Sequence, residues 1–222
     1  MAADPTAMSV DEAVRAVRAD SRRRQILKAA AKVMQHTGFH QMSMQALAEE
    51  ADVSVGLLYN YFGNKEEILR ATITAILDAF RDQLEPAMAE VGDDPVERLA
   101  AGIRRFIEIV DENLDAVALT YRESRTLDSA GRETLKRLEI ATSAPLRAVL
   151  TEGIEAGVMS PVDVDLIVFD LVLLAHGWSL KHWHFGHIYT LDEYIRLQTR
   201  FVLNTVLPQD NHAHYRHLLE ST

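Results

Sequence analysis

Cysteine is absent from all 222 residues, so neither a disulfide framework nor a thiolate metal site can form. Long apolar runs are missing too. The greasiest stretch, LIVFDLVLLAHGW over 166–178, is interrupted by Asp170 and falls short of the ~20 residues that a spanning helix needs. The opening MAADPTAMSVDEAVRAVRAD has no apolar segment of signal-peptide length behind a basic start. These absences make the cytoplasm the expected compartment and exclude a membrane partner. Positive charge is in deficit: 23 Lys and Arg against 33 Asp and Glu leave a net charge of −10, which argues against a protein that coats nucleic acid indiscriminately. No convincing two-residue hydrophobic alternation bounded by turn residues occurs, so strands and hairpins are not expected.

What is present is helical pattern and uneven charge. Residues 1–65 carry 8 basic and 7 acidic side chains, and residues 66–222 carry 15 and 26, so the acidity belongs to the second part. Within the first part, SRRRQILKAAAK places Arg22, Arg23, Arg24, Lys28 and Lys32 in a run without an acid. The spacing predicts helices over 20–37, 44–51, 55–61, 64–90, 95–113, 115–126, 130–157, 163–184 and 190–206, with a short tenth over 210–219. Pro145 should kink or split the seventh. The expected fold is all-α: a flexible arm over 1–19, a three-helix domain over 20–65, and a larger helical domain over 66–222.

The second and third of these helices are short and nearly adjacent. Ser43 is a good N-cap for one and Ser54 for the other, and Asp52 falls at the tight turn between them, where a left-handed conformation is usual. Two short helices joined so briefly make a helix-turn-helix. On a helical wheel Val55, Leu58 and Phe62 share the inward side, with Tyr59 at its edge, and Gly56, Leu57, Asn60 and Tyr61 face the other way. Gly56 leaves that outward face bare at the helix start, and Tyr61 is either a docking side chain or an ordinary exposed tyrosine. Asn64 can cap the fourth helix with Glu67 at its N3 position, whereas Lys65 sits at the wrong end of that helix dipole. An anion held jointly by the lysine and the helix N-terminus, such as a DNA phosphate, would resolve the conflict; a tolerated surface lysine is the alternative.

The segment RQILKAAAKVMQHTGFHQMSMQALAEEADVSVGLLYNYFGNKEEIL, residues 24–69, resembles the DNA-binding domain of the tetracycline-repressor (TetR) family, above all in the G-x-x-Y-x-Y-F-x-x-K order of Gly56 to Lys65. The resemblance implies a homodimer on a palindromic double-stranded operator. It puts Gln45, Gly56, Leu57, Asn60 and Tyr61 toward the major groove and Tyr59 and Lys65 on phosphates; Arg23, Arg24 and Ser43 complete the candidate DNA-contacting set. Family members often carry a hydroxyl residue where this chain has Leu57, which would instead touch a thymine methyl.

Beyond residue 69 the resemblance is weaker and rests on GIEAGVMSPVDVDL, 153–166. The helix over 163–184 is apolar on every side and needs protein on both faces. The family architecture supplies a reason, pairing this helix and the next with their copies, and Phe169, Leu173, His176, Leu197 and Phe201 are the interface candidates. For a ligand, Phe106, Ile107 and Val110 can line an apolar pocket, Tyr121 and Trp178 can close its walls, and Arg122 and Arg125 can hold phosphates at its mouth; a solvated, ion-paired helix face for the two arginines and a core or interface place for Trp178 are the alternatives. The expected effector is large, hydrophobic and anionic, with an acyl-CoA thioester as leading candidate and a neutral lipophilic or aromatic compound as alternative. His176, His182, His184 and His187 lie close together, but no carboxylate sits among them and His182 and His184 point to different sides of a helix, so no metal is expected. No nucleophile elbow, phosphate loop or H-E-x-x-H pattern occurs, so no catalytic residues and no cofactor are expected. A helical enzyme and a protein-binding adaptor are the competing classes, and the basic run with Tyr61 and Lys65 speaks against the adaptor.

Overall fold

The structure is a computed structural model that describes residues 10–220. Among them all regular structure is helical: α1 (Val10–Thr37), α2 (Met44–Glu50), α3 (Val55–Phe62), α4 (Lys65–Ala89), α5 (Pro95–Glu112), α6 (Leu114–Glu123), α7 (Ser129–Thr142), α8 (Ala144–Glu155), α9 (Val164–Leu180), α10 (His182–Ile188), α11 (Leu191–Val206) and α12 (Arg216–Leu219), with single 3-10 turns after α6 and α11. The chain divides into two compact units between Ala75 and Ile76.

In the first unit α1 begins ten residues before its expected start, so the expected arm over 1–19 is helical from Val10, and residues 1–9 lie outside the described residues. The reason is composition: residues 11–20 are rich in Ala, Arg, Asp and Glu, Asp11 and Glu12 suit the positive end of the helix dipole, and Arg24 pairs with Asp20 at 2.5 Å one turn back. Helix α1 packs on α2 and α2 on α3. Ile26, Ala30, Met34, Leu47, Leu58 and Phe62 form a buried core. Two ties fix α1 against α2: Gln25 Nε2 donates to the Ala51 carbonyl at 2.9 Å, and Lys32 pairs with Glu50 at 2.6 Å.

In the second unit α5 is the central helix and packs against α8, α9 and α11. It starts where Asp94 Oδ1 accepts the N–H groups of Val96 and Glu97 and Pro95 takes the first helical position. Val96, Leu99, Ile103, Phe106, Ile107 and Val110 are all buried, each contributing about 1.5–3 kcal/mol against leaving it exposed. Gly102 allows a close crossing, because a Cβ there would stand 2.8 Å from Leu146 Cδ2 and 3.0 Å from Met88 Sδ.

Two long helices expected from the pattern are each broken. Residues 130–157 divide at Ser143 into α7 and α8, since Pro145 lacks the N–H that would continue the ladder. Residues 163–184 divide at Lys181, whose backbone leaves helical geometry at φ −122°, ψ 25°.

Candidate DNA-contacting face and candidate effector cavity

The helix-turn-helix is set by short-range chemistry. Ser43 Oγ accepts from the Ala46 N–H at 3.0 Å and Ser54 Oγ from the Leu57 N–H at 3.2 Å, so both helices are capped by the expected side chains. Between them Asp52 has φ 50°, the positive-φ non-glycine residue of the described chain, in the left-handed conformation that Asp tolerates. On α3, Leu58 and Phe62 are buried, Gly56, Tyr59 and Asn60 are exposed, and Leu57 and Tyr61 are half-buried. A Cβ on Gly56 would meet nothing within 4 Å, so the packing of this chain gives no reason for a glycine there.

The remaining candidates on this unit divide between structural ties and free surface. Ser43 is committed to its cap, and Gln45 is exposed with Nε2 donating to Glu49 Oε1 at 3.2 Å. Arg23 lies over the Phe62 ring, 5.5 Å from its centroid, and Arg24 is paired with Asp20. Lys65 is not an idle cation at a helix start: Nζ donates to the His40 carbonyl at 3.2 Å and sits 5.0 Å from the Phe39 centroid. Asn64 Oδ1 accepts from the Glu67 N–H at 2.8 Å, the cap that the sequence predicts. Sequence reasoning missed Arg15 and Arg18 and named Arg22 only as part of the basic run; all three line a surface groove of about 540 Å³ together with Leu57 and Tyr61. Their i, i+3, i+7 spacing is the signal that could have found them, once α1 is extended N-terminally.

A second site lies within the other unit. A cavity of about 180 Å³ is walled by Ile76, Leu77 and Phe80 of α4, Phe106 of α5, Val117, Thr120 and Tyr121 of α6, Leu135, Glu139 and Thr142 of α7, and Val172 and His176 of α9, with Ser124 from the following turn. Phe80 and Phe106 stack with ring centroids 4.2 Å apart, and His176 lies against both. The Tyr121 hydroxyl and His176 Nδ1 are 2.8 Å apart and hydrogen-bonded. Burial pushes His176 down to about 4, so the ring is neutral at ordinary pH. Burial, with nearby Glu139 adding to it, pushes the Tyr121 phenol up to about 12. The Glu139 carboxyl is raised by burial alone.

Of the seven ligand candidates, Phe106 and Tyr121 meet at this cavity. Ile107 and Val110 are buried away from it, because α5 packs on three helices and only part of its surface is left for the cavity wall. Trp178 is buried elsewhere: its Nε1 donates to Asp111 Oδ1 at 2.7 Å and its ring packs on Tyr194 and His182. Arg122 and Arg125 follow the wall residues Tyr121 and Ser124 but do not line the cavity, and Arg122 pairs with Glu123 at 3.0 Å.

Helix α9 shows two faces. Val168, Leu171, Val172, Ala175, His176 and Trp178 point inward, while Leu166, Phe169 and Leu173 stand exposed, as does Phe201 on α11 at 60 %. Leu197 is half-buried. His176, expected at a dimer interface, is instead only 8 % exposed and belongs to the cavity; an all-round apolar helix offers no periodicity to say which side is inward. His182 lies edge-on to Trp178 with centroids 5.0 Å apart, and His184 and His187 are exposed. Among the described residues no three His, Asp or Glu side chains converge as a metal site, and no helix is long and apolar enough to cross a membrane.

A capped helix-turn-helix carried in one chain with a helical unit that encloses an apolar cavity defines a ligand-binding, DNA-binding transcriptional regulator. Comparison with known proteins narrows this class. Residues 26–72 match the family model described as bacterial regulatory proteins, tetR family, and residues 92–184 match the tetracyclin repressor-like C-terminal domain. The chain belongs to the TetR family. It is similar to the HTH-type transcriptional regulator HbdR of Aromatoleum sp. (strain CIB), 35 % identical over 193 residues that cover 85 % of this chain and 84 % of the relative. Among solved structures it is similar to the TetR-family regulator PfmR from Thermus thermophilus, with TM-score 0.71, 27 % identity, and coverage of 81 % of this chain and 97 % of that one. It is also similar to AibR in complex with isovaleryl coenzyme A and operator DNA, with TM-score 0.67, 25 % identity, and coverage of 82 % and 97 %.

Proposed function

We propose that this protein is a cytoplasmic repressor that binds a palindromic operator as a homodimer and is released by a hydrophobic effector. The DNA face is assigned to Gln45, Gly56, Leu57, Tyr59, Asn60, Tyr61 and Lys65, with Arg23 and Arg24 beside them. The α9 and α11 surface carrying Phe169, Leu173, Leu197 and Phe201 is assigned to the dimer. Residues 1–65 then serve DNA binding and residues 66–222 effector binding and dimerisation, with α4 running from Lys65 to the cavity residues Ile76, Leu77 and Phe80. An effector that favours one setting of α4 would shift the population away from the state in which both recognition helices sit about 34–36 Å apart, one DNA turn.

The observation that carries the effector reading is the mainly apolar cavity of about 180 Å³ with a few polar side chains on its wall. Its size fits the acyl or aryl part of a CoA thioester whose nucleotide stays outside, and the similarity to AibR, solved with isovaleryl coenzyme A, supports that reading. A neutral lipophile held wholly inside is the second reading, favoured by the lack of any Lys or Arg on the cavity wall. Titrating the operator complex with short-chain, long-chain and ring-containing CoA thioesters, their free acids and neutral lipophiles separates the two. Release by short or ring-containing thioesters supports the first, and release by neutral compounds alone the second. If no compound releases DNA, the effector reading fails.

A further inference from the structure

Apart from the Ser124 hydroxyl, which can both donate and accept, the polar groups of the cavity wall can each be assigned a hydrogen-bonding role. Thr120 Oγ1 donates to the Ala116 carbonyl and Thr142 Oγ1 to the Glu139 carbonyl, both at 2.8 Å, so each threonine has only acceptor capacity left. Tyr121 and neutral His176 share one hydrogen bond at 2.8 Å, which leaves the pair one further proton, on the phenol or on the second ring nitrogen. The Glu139 carboxylate has no hydrogen bond or ion pair among the described residues, and no Lys or Arg stands on the wall beside it. An ionised carboxylate only accepts. The wall therefore holds more acceptors than donors, and the strongest acceptor is unused.

We infer that the effector places a single ring or short branched chain in this cavity and directs one hydrogen-bond donor, a hydroxyl or an amine, at the Glu139 carboxylate. The inference rests on the cavity being the effector site. Its size argument is direct: about 180 Å³ is close to the roughly 150 Å³ of an apolar cavity that holds benzene. A hydroxyl suits the wall doubly, since it donates to Glu139 and accepts the spare proton of the Tyr121–His176 pair. A ligand carboxylate pointing inward would meet the Glu139 charge with no cation to offset it. The burial that raises Glu139 also marks surroundings in which a charge-assisted bond is stronger than in water.

Calorimetric titration of the full-length protein tests this with matched probes: toluene, benzyl alcohol and benzylamine as neutral-skeleton compounds, and butyryl-CoA against 3-hydroxybutyryl-CoA as thioesters. The donor-bearing member of at least one series is expected to bind roughly 10- to 100-fold tighter than its unsubstituted partner. Glu139→Leu should erase that preference and leave the unsubstituted member within about threefold of its original affinity. Glu139→Gln, which keeps one acceptor oxygen, should retain part of the preference for the alcohol and lose any extra gain of the amine. Equal affinity of the matched probes for the unaltered protein, or a preference that survives Glu139→Leu in a variant with unchanged helical content, overturns the inference. Val172→Trp fills the cavity and controls the underlying reading. If the unsubstituted probes bind it as well as they bind the unaltered protein, the cavity is not the effector site and the inference falls with it.

Discussion

Replacing Gly56 by alanine separates what the fold requires from what the operator requires. Within this chain a methyl group at position 56 enters open space, and the residue lies in α3 with no positive φ, so alanine costs no strain. Gly56 is the second residue of α3, where helix propensity acts at the low end of its range, and the gain is about 0.5 kcal/mol per protomer. For a chain of this length that raises the melting temperature by about 1–2 °C. On DNA the sign reverses. A methyl group on the bare start of a recognition helix meets a groove wall, and overpacking a close interface costs about 1–3 kcal/mol, in each half-site of a dimer. Thermal melting and a mobility shift on the operator, both on the purified full chain, read the two effects independently. A variant that melts higher and binds operator with unchanged affinity would refute the placement of Gly56 against DNA. A variant that melts lower would refute the local geometry of α3.

Leu173→Glu is expected to give a folded monomer, because residue 173 is 56 % exposed in the protomer; a carboxylate in a dimer interface costs about 3 kcal/mol or more, and light scattering reads the mass. Asp111→Ala leaves the buried Trp178 N–H without its 2.7 Å acceptor and should lower stability by about 1.5–3 kcal/mol in chemical denaturation. The neutral, buried His176 makes the unfolded chain the stronger proton binder between its ordinary value near 6.5 and its folded value of about 4; stability should therefore fall by roughly 3 kcal/mol as pH drops through that window, and His176→Gln should flatten the profile. Glu139 has the opposite sign: its raised carboxyl stabilises below the ordinary value of 4.5 and loses that contribution as pH rises through its folded value, so Glu139→Gln should steepen the His176 limb in the same unfolding series. Lys65→Ala should reduce the salt dependence of operator binding by about one counterion and cost about 0.5–1 kcal/mol of stability through the lost Phe39 contact.

The helix-turn-helix was legible because everything that makes it is local. Ser43, Ser54 and Asn64 each accept a backbone N–H three residues on, and Asp52 takes the left-handed turn, as their residue types predict. The break at Ser143 is local as well, since Pro145 interrupts a helix wherever that helix packs. The N-terminal turns of α1 are local in origin too and were passed over although Val10, Val14 and Val17 recur at helical spacing. Val14 and Val17 stay exposed, so these turns rest on propensity and i, i+4 pairing and not on burial. The cavity, by contrast, was illegible: its walls come from α4, α5, α6, α7 and α9, segments separated by as many as a hundred residues, and no spacing along the chain encodes which faces converge.

His176 shows how the two kinds of information meet. Around it α9 is apolar on all sides, so hydrophobicity requires only that both faces be covered. The structure divides those faces: Leu166 and Leu173, at 59 % and 56 % exposure, lie outward, and His176 points at Phe80, Phe106 and Tyr121. A polar ring on the inward face of so apolar a helix costs desolvation that a leucine would not. That cost is offset in part by the Tyr121 bond, and the pair still holds a proton that neither residue uses. Glu139, on the wall of the same cavity and near enough to Tyr121 to act on its phenol, holds a carboxylate with no hydrogen-bond partner among the described residues. Complementary unused capacity on the wall of a mainly apolar space is poor design for a core and good design for a binding site. On the proposed function this one helix carries two surfaces with separate requirements, the outward leucines for a copy of the chain and the inward histidine for a small molecule.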